Sequence, residues 1–143
     1  MSVHIKYFDK AREISTWSTY NKYRIGCVAV YQNRIIGIGY NCNKTHPIQK
    51  EFNRYRKIRY NTAITPTIHA EMMCLLSIKN MDLKWNKVSL YVFRSCANGY
   101  GMARPCAACM EAIKEFGIKN IYYTTDDGFA SEKLLSERRW SCA

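Results

Sequence analysis

Two stretches of this chain, Thr67-Ile68-His69-Ala70-Glu71 and Pro105-Cys106-Ala107-Ala108-Cys109, carry residues whose types and spacing could do chemistry. An imidazole and two thiols make a zinc donor set. Three protein ligands leave a fourth tetrahedral position for water, the arrangement of a catalytic rather than a structural site. Water so bound gives hydroxide near neutral pH. Glu71, two residues from His69 and outside the donor set, can take that proton and hand it on. The chemistry is metal-assisted hydrolysis.

Both stretches read as helix starts. Thr65 can cap and Pro66 suits a first turn. Ile68, Met72, Leu75 and Leu76 then recur at helical spacing to about Asn80, which places His69 and Glu71 in the first turn. Pro105 opens a second helix, with Ala108, Ala112, Ile113 and Phe116 facing inward and Gly117 suited to its end. Cys106 and Cys109, three apart, aim the same way at an N-terminus whose dipole favours thiolate. Ala70, Ala107 and Ala108 let the two helix ends approach around the metal. Among the other cysteines, Cys27 and Cys74 read as core, Cys96 lies in a loop without a partner spacing, and Cys142 is incidental.

The remaining pattern supplies a scaffold. Residues 4–18 place Ile5, Phe8, Ala11, Arg12, Ile14 and Ser15 on one face of a helix, with His4 solvent-facing or capping at its start. Residues 23–31 and 34–40 read as a β-hairpin about Gln32-Asn33. Gly37 and Gly39 in a strand interior imply close approach of a backbone or a ligand. Asn41 directly after them is either a ligand contact or the start of an Asx-turn. Residues 87–93 and 119–124 are strands, 94–104 a loop, and the intervening helix implies a right-handed crossover between parallel neighbours. The tail, 131–143, with Leu134, Leu135 and Trp140, reads as a last short helix. The fold class is α/β.

The 143 residues fit one domain spanning 1–143, 48% hydrophobic and without repeats. No stretch approaches the ~20 apolar residues of a membrane span. An odd count of seven cysteines, two at metal spacing, argues for a reducing compartment. A soluble, cytoplasmic protein without a membrane partner is expected. The net charge of +11 favours polyanionic or phosphate-bearing ligands, or else reflects an A/T-rich genome that favours lysine and asparagine codons. Much of it lies in 42–60, where Lys44, Lys50, Arg54, Arg56, Lys57 and Arg59 face only Glu51 and interleave with Phe52, Tyr55 and Tyr60. Such a segment could stack bases while its charges track phosphates, or it could be a surface helix with solvated charges. Arg54, Arg56 and Arg59 are therefore candidate phosphate or strand contacts, and His46 before Pro47 sits in a turn.

Across Gly26-Cys27-Val28-Ala29-Val30, Gly37-Ile38-Gly39-Tyr40-Asn41, His69-Ala70-Glu71, Pro105 to Cys109 and Gly117-Ile118-Lys119, the chain resembles the zinc-dependent cytidine deaminase superfamily, and within it the deoxycytidylate deaminase branch. The resemblance implies a three-layer α-β-α fold with a central mixed five-stranded sheet, a zinc cofactor on His69, Cys106 and Cys109, and Glu71 as proton shuttle. It implies a cytosine nucleotide or nucleoside as substrate, deoxycytidylate first, with Asn41 on the sugar hydroxyl and the Ala70 amide on the base carbonyl. Homo-oligomers are common in that superfamily, so a second copy of the chain is a candidate partner. Residues 94–104 are longer than the link usual there, and 42–60 is unusually basic. Two alternatives stand beside this reading: deamination of cytosine within single-stranded DNA or RNA, and a non-catalytic nucleic-acid-binding zinc module, against which Glu71 argues.

Overall fold

Alternation along two central strands sets the layers. In β1 (Arg24–Tyr31) and β3 (Ser89–Cys96), Cys27, Ala29, Leu90 and Val92 enter one buried cluster, while Val28, Val30, Tyr91 and Phe93 enter another. Strands buried on both faces need helices on both sides. In the computed structural model, which describes residues 4–20, 23–55, 67–97 and 99–135, α1 (His4–Ser15) covers one face through Tyr7, Phe8, Ala11 and Ile14. The other face meets α2 (Pro47–Phe52), α3 (Ala70–Ile78) and α4 (Ala107–Phe116).

With β2 (Arg34–Tyr40), β4 (Gly99–Gly101), β5 (Asn120–Thr124) and β6 (Phe129–Lys133), the sheet runs β2-β1-β3-β5-β6, and β4 pairs with β3. The β1–β2 hairpin turns on Gln32 and Asn33, both at positive φ (51° and 63°), the handedness a two-residue hairpin loop needs. β3 and β5 are parallel neighbours joined through α4, as the strand-helix-strand pattern predicts. α4 ends where Gly117 takes φ 91°: the Gly117 and Ile118 amides bond back to Lys114 and Ile113, closing the last turn.

The structure corrects the expected elements in four places. The sheet has six described strands, not five, because 94–104 is not simply a loop: β4 folds back on the end of β3, pairing Arg94 with Gly101 and Cys96 with Gly99. The start of the tail is strand, not helix. β6 pairs antiparallel with β5, and as an edge it alternates exposed with half-exposed residues, so it lacks the apolar period that marks an inner strand. Trp140 and Cys142 lie outside the described residues. α1 stops at Ser15 and buries Tyr7 where Ile5 was expected, leaving Ile5 41% exposed. His4 is half-buried, its Nδ1 2.5 Å from the Tyr91 hydroxyl.

The strand glycines are explained by helices. A Cβ on Gly39 would stand 2.1 Å from the Ala70 carbonyl oxygen and 2.5 Å from the Cys74 nitrogen, both backbone atoms of α3. A Cβ on Gly37 would meet Ile78 and Ser77 further along that helix. The close approach anticipated at these positions is therefore made by α3, through its backbone at Gly39 and its side chains at Gly37. Because the nearest atoms to Gly39 cannot rotate away, Gly39→Ala should cost about 1–3 kcal/mol by overpacking. This is a fall in Tm of roughly 3–10 °C by calorimetry, and an unchanged Tm would contradict the seating.

Candidate metal centre and active site

His69 and Cys106 each occupy the N-cap of a helix, and neither side chain caps it. Ser, Thr, Asp or Asn at that position would bond the first-turn amides. Here both residues have extended backbone, ψ 157° and 170°, and their side chains meet each other instead. The helices begin later than the prolines suggest. α3 starts at Ala70 and α4 at Ala107, so Pro105 precedes the cap and His69 is the cap rather than a first-turn residue. Thr65 and Pro66 lie outside the described residues.

The chain enters His69 through a short extended stretch. Ile68 donates its amide to the Lys44 carbonyl at 2.8 Å, Cys42 donates to the Ile68 carbonyl at 3.3 Å, and Thr45 bridges Thr67. The His69 amide itself donates to Oε1 of Gln49 at 3.0 Å. Gln49, on α2, is fully buried, and its Nε2 donates to Oδ1 of Asn53 at 2.8 Å. The orphan amide of the N-cap residue is thus satisfied from a neighbouring helix. His46 caps α2 by accepting from the Ile48 amide at 3.1 Å.

The three expected donors come together. His69 Nδ1 lies 3.5 Å from Cys106 Sγ and 3.4 Å from Cys109 Sγ, and all three donor atoms are within 4.8 Å of one another. Nitrogen and sulfur ligands at ordinary zinc distances on a tetrahedron are separated by about 3.6 Å, so the donor set fits the ion. The hydrogen bond between the thiols, with the His69 ring, holds Cys106 down at about 3, against burial. The same bond and complete burial push Cys109 well up. A cation between the two sulfurs favours the thiolate form of both.

Glu71, the second residue of α3, is only 4% exposed. Burial pushes its carboxyl up to about 7, opposed by His69 and reinforced by Cys106. A cavity of 210 Å³ is lined by His69, Ala70, Glu71, Cys106 and Asn41. Asn41 accepts the Ile25 amide on Oδ1 at 2.9 Å and donates from Nδ2 to the Tyr23 carbonyl at 3.0 Å, which ties the end of β2 to β1 and uses one of two Nδ2 hydrogens.

The basic candidates fare differently. Arg54 does not line the cavity; it is exposed, 3.6 Å from Glu51, and its guanidinium lies over Tyr55. Arg56 and Arg59 lie outside the described residues. The cations that do line the cavity are Arg94 and Arg104, with Tyr20 and Tyr23. They went unread because they sit singly, one at the end of β3 and one ahead of Pro105. Gln49 carried no signal beyond being neutral and polar within a basic segment. Cys27 and Cys74 are fully buried, as expected, and Cys96 is exposed.

A family model described as the cytidine and deoxycytidylate deaminase zinc-binding region matches residues 1–125. The chain belongs to this family. Zinc is accordingly the metal of the site, and His69, Cys106 and Cys109 are the described residues grouped to hold it. The family's relatives here include the deoxycytidylate deaminase of Pongo abelii, 25% identical over 114 residues, which are 78% of this chain and 58% of that protein. The chain thus spans a little over half the length of the curated relatives it matches. In structure it is similar to the dCMP deaminase of cyanophage S-TIM5, with TM-score 0.59, 22% identity, and 87% and 86% of the two chains covered. That phage enzyme has also been solved with dCMP and dUMP. The cytidine deaminase of Burkholderia pseudomallei matches with TM-score 0.61, 15% identity, and 93% of each chain covered. At these identities the likeness is one of fold, and it agrees with the mixed sheet and its flanking helices. No described helix is long and apolar enough to cross a membrane.

Elemental analysis of the purified protein should give one zinc per chain, lost in Cys106→Ser. Gln49→Ala, which strips the His69 amide of its acceptor, should weaken zinc binding about 10–100-fold in competition with a chromogenic chelator. Unchanged affinity would remove Gln49 from the support of the site.

Proposed function

We propose that the chain hydrolyses the exocyclic amine of cytosine in a mononucleotide, converting deoxycytidylate to deoxyuridylate with release of ammonia. The observation that carries this is the burial of Glu71 beside three converging metal donors in one small cavity. Its support from outside the chain is the family itself and the deoxycytidylate deaminases among its relatives.

Zinc held by His69, Cys106 and Cys109 would supply the Lewis acid that makes water a nucleophile near neutral pH. Glu71 accepts one proton of the attacking water and passes it to the ring nitrogen, then carries the second, from the new hydroxyl, to the departing amine, so that a C=O bond replaces the C–N bond at the same carbon and ammonia leaves. Its position suits both transfers: it lines the cavity yet stands outside the donor group. The Ala70 amide is the first of α3 and has no acceptor within its own helix, and Ala70 lines the same cavity, so this amide would hold the base carbonyl. Asn41, anchored to β1 at both ends of its amide group, presents its remaining hydrogen to the sugar. At 210 Å³ the cavity is small beside the roughly 300–1,000 Å³ that encloses drug-sized ligands, a size suited to a single base.

Ammonia release from deoxycytidylate should be measurable, and Glu71→Ala should lower kcat by about 10²–10⁴ while zinc content stays at one per chain. Near-normal turnover in that variant would sink the role given to Glu71. A cytosine-containing single-stranded oligonucleotide should be left intact in the same assay. Its deamination at a comparable rate would shift the reading to a polynucleotide substrate.

A further inference from the structure

We propose that Arg94 reads the 5′-phosphate of the substrate, so that this site selects nucleotides over nucleosides. The inference rests on the cytosine-nucleotide reading above. The family's description spans both cytidine and deoxycytidylate, so the zinc donors alone do not decide between a neutral and an anionic substrate.

Arg94 lines the same cavity as Glu71 and His69. Its Nε is buried and has no hydrogen-bond partner among the described residues. It makes no ion pair with any described residue. Arg104, the other arginine on the cavity, is engaged: its Nε and Nη2 donate to the two oxygens of Glu132 at 2.6 and 3.1 Å. One cavity arginine is thus neutralised and the other is not. A buried donor on a charged group without an acceptor is a standing cost, and it marks a place for an anion.

The guanidinium also lies over an aromatic ring. Its Cζ lies 4.8 Å from the centre of the Tyr23 ring, a cavity residue itself. The Arg94 backbone is fixed from the neighbouring strand, its amide donating to Thr124 Oγ1 at 3.2 Å, while that hydroxyl donates to the Gly101 carbonyl at 2.6 Å. A flat fork stacked on a ring, anchored at its base and lacking a carboxylate, has the geometry that grips phosphate oxygens in pairs. The surface charge does not explain this residue. Arg54 already has Glu51 and Tyr55 and stands away from the cavity.

The test titrates the zinc-loaded protein by calorimetry with deoxyuridylate and with deoxyuridine, and runs deoxycytidylate and deoxycytidine as substrates in parallel. The wild type should prefer the nucleotide by about 10–100-fold. Arg94→Ala should lose that preference through the nucleotide alone, deoxyuridine affinity and deoxycytidine turnover staying put, and Arg94→Lys should recover part of it. If Arg94→Ala does not fold, Arg94→Gln keeps most of the stem without the charge and carries the same comparison. A nucleotide preference that survives in the variant, or is absent from the wild type, overturns the phosphate role while leaving cytosine deamination intact. Arg94-dependent binding of deoxyuridylate in a protein that deaminates neither cytosine substrate would overturn the function and leave the phosphate contact standing.

Discussion

Two sulfurs and an imidazole nitrogen are held within reach of one another at the buried ends of two helices, and protein alone does not balance their charge. The contacts around Cys106 favour its thiolate and burial opposes that of Cys109, while the helix N-termini behind them favour negative charge. The arrangement is completed by a cation. Most of the surrounding structure can be read as the means of keeping these donors in place: Gly39 lets α3 sit directly on β2, and Gln49 accepts the His69 amide and so ties the backbone of that ligand to α2.

This division of labour between backbone and side chain also explains what could be read beforehand. The donor set was legible because metal ligands must be particular residue types at particular spacings, and Pro105 stands directly before the cap of one of the two helices. The inner strands were legible because burial on both faces leaves a dense apolar run. β6 was not, since an edge strand with one open side can be as polar as a loop. β4 was missed for a related reason: Gly99-Tyr100-Gly101 has too little apolar content to declare a strand, and its pairing is dictated by the neighbouring β3.

The substrate end of the cavity followed the same logic in reverse. A run of cations in 42–60 drew attention as a group, yet charge that is plentiful is usually solvated, and Arg54 is an instance. Arg94 stands alone between Phe93 and Ser95 and has no pattern to announce it. Its meaning comes from where three strands bring it: beside Tyr23 at the entry to β1, under Thr124 at the end of β5, and opposite Gly101 of β4. Long-range proximity of this kind leaves no trace in local periodicity.

The parallel pairing of β3 with β5 has a consequence for how the centre is assembled. Parallel neighbours need a crossover, and here the crossover carries Cys106 and Cys109, while His69 precedes β3 by a full helix. The ligands are 37 and 40 residues apart along the chain, and the strand that separates them is the middle of the sheet. No local hairpin or helix pair can form the donor set early. The ion must wait for contacts between residues far apart in the chain, so its capture reports that the two helix ends have come together.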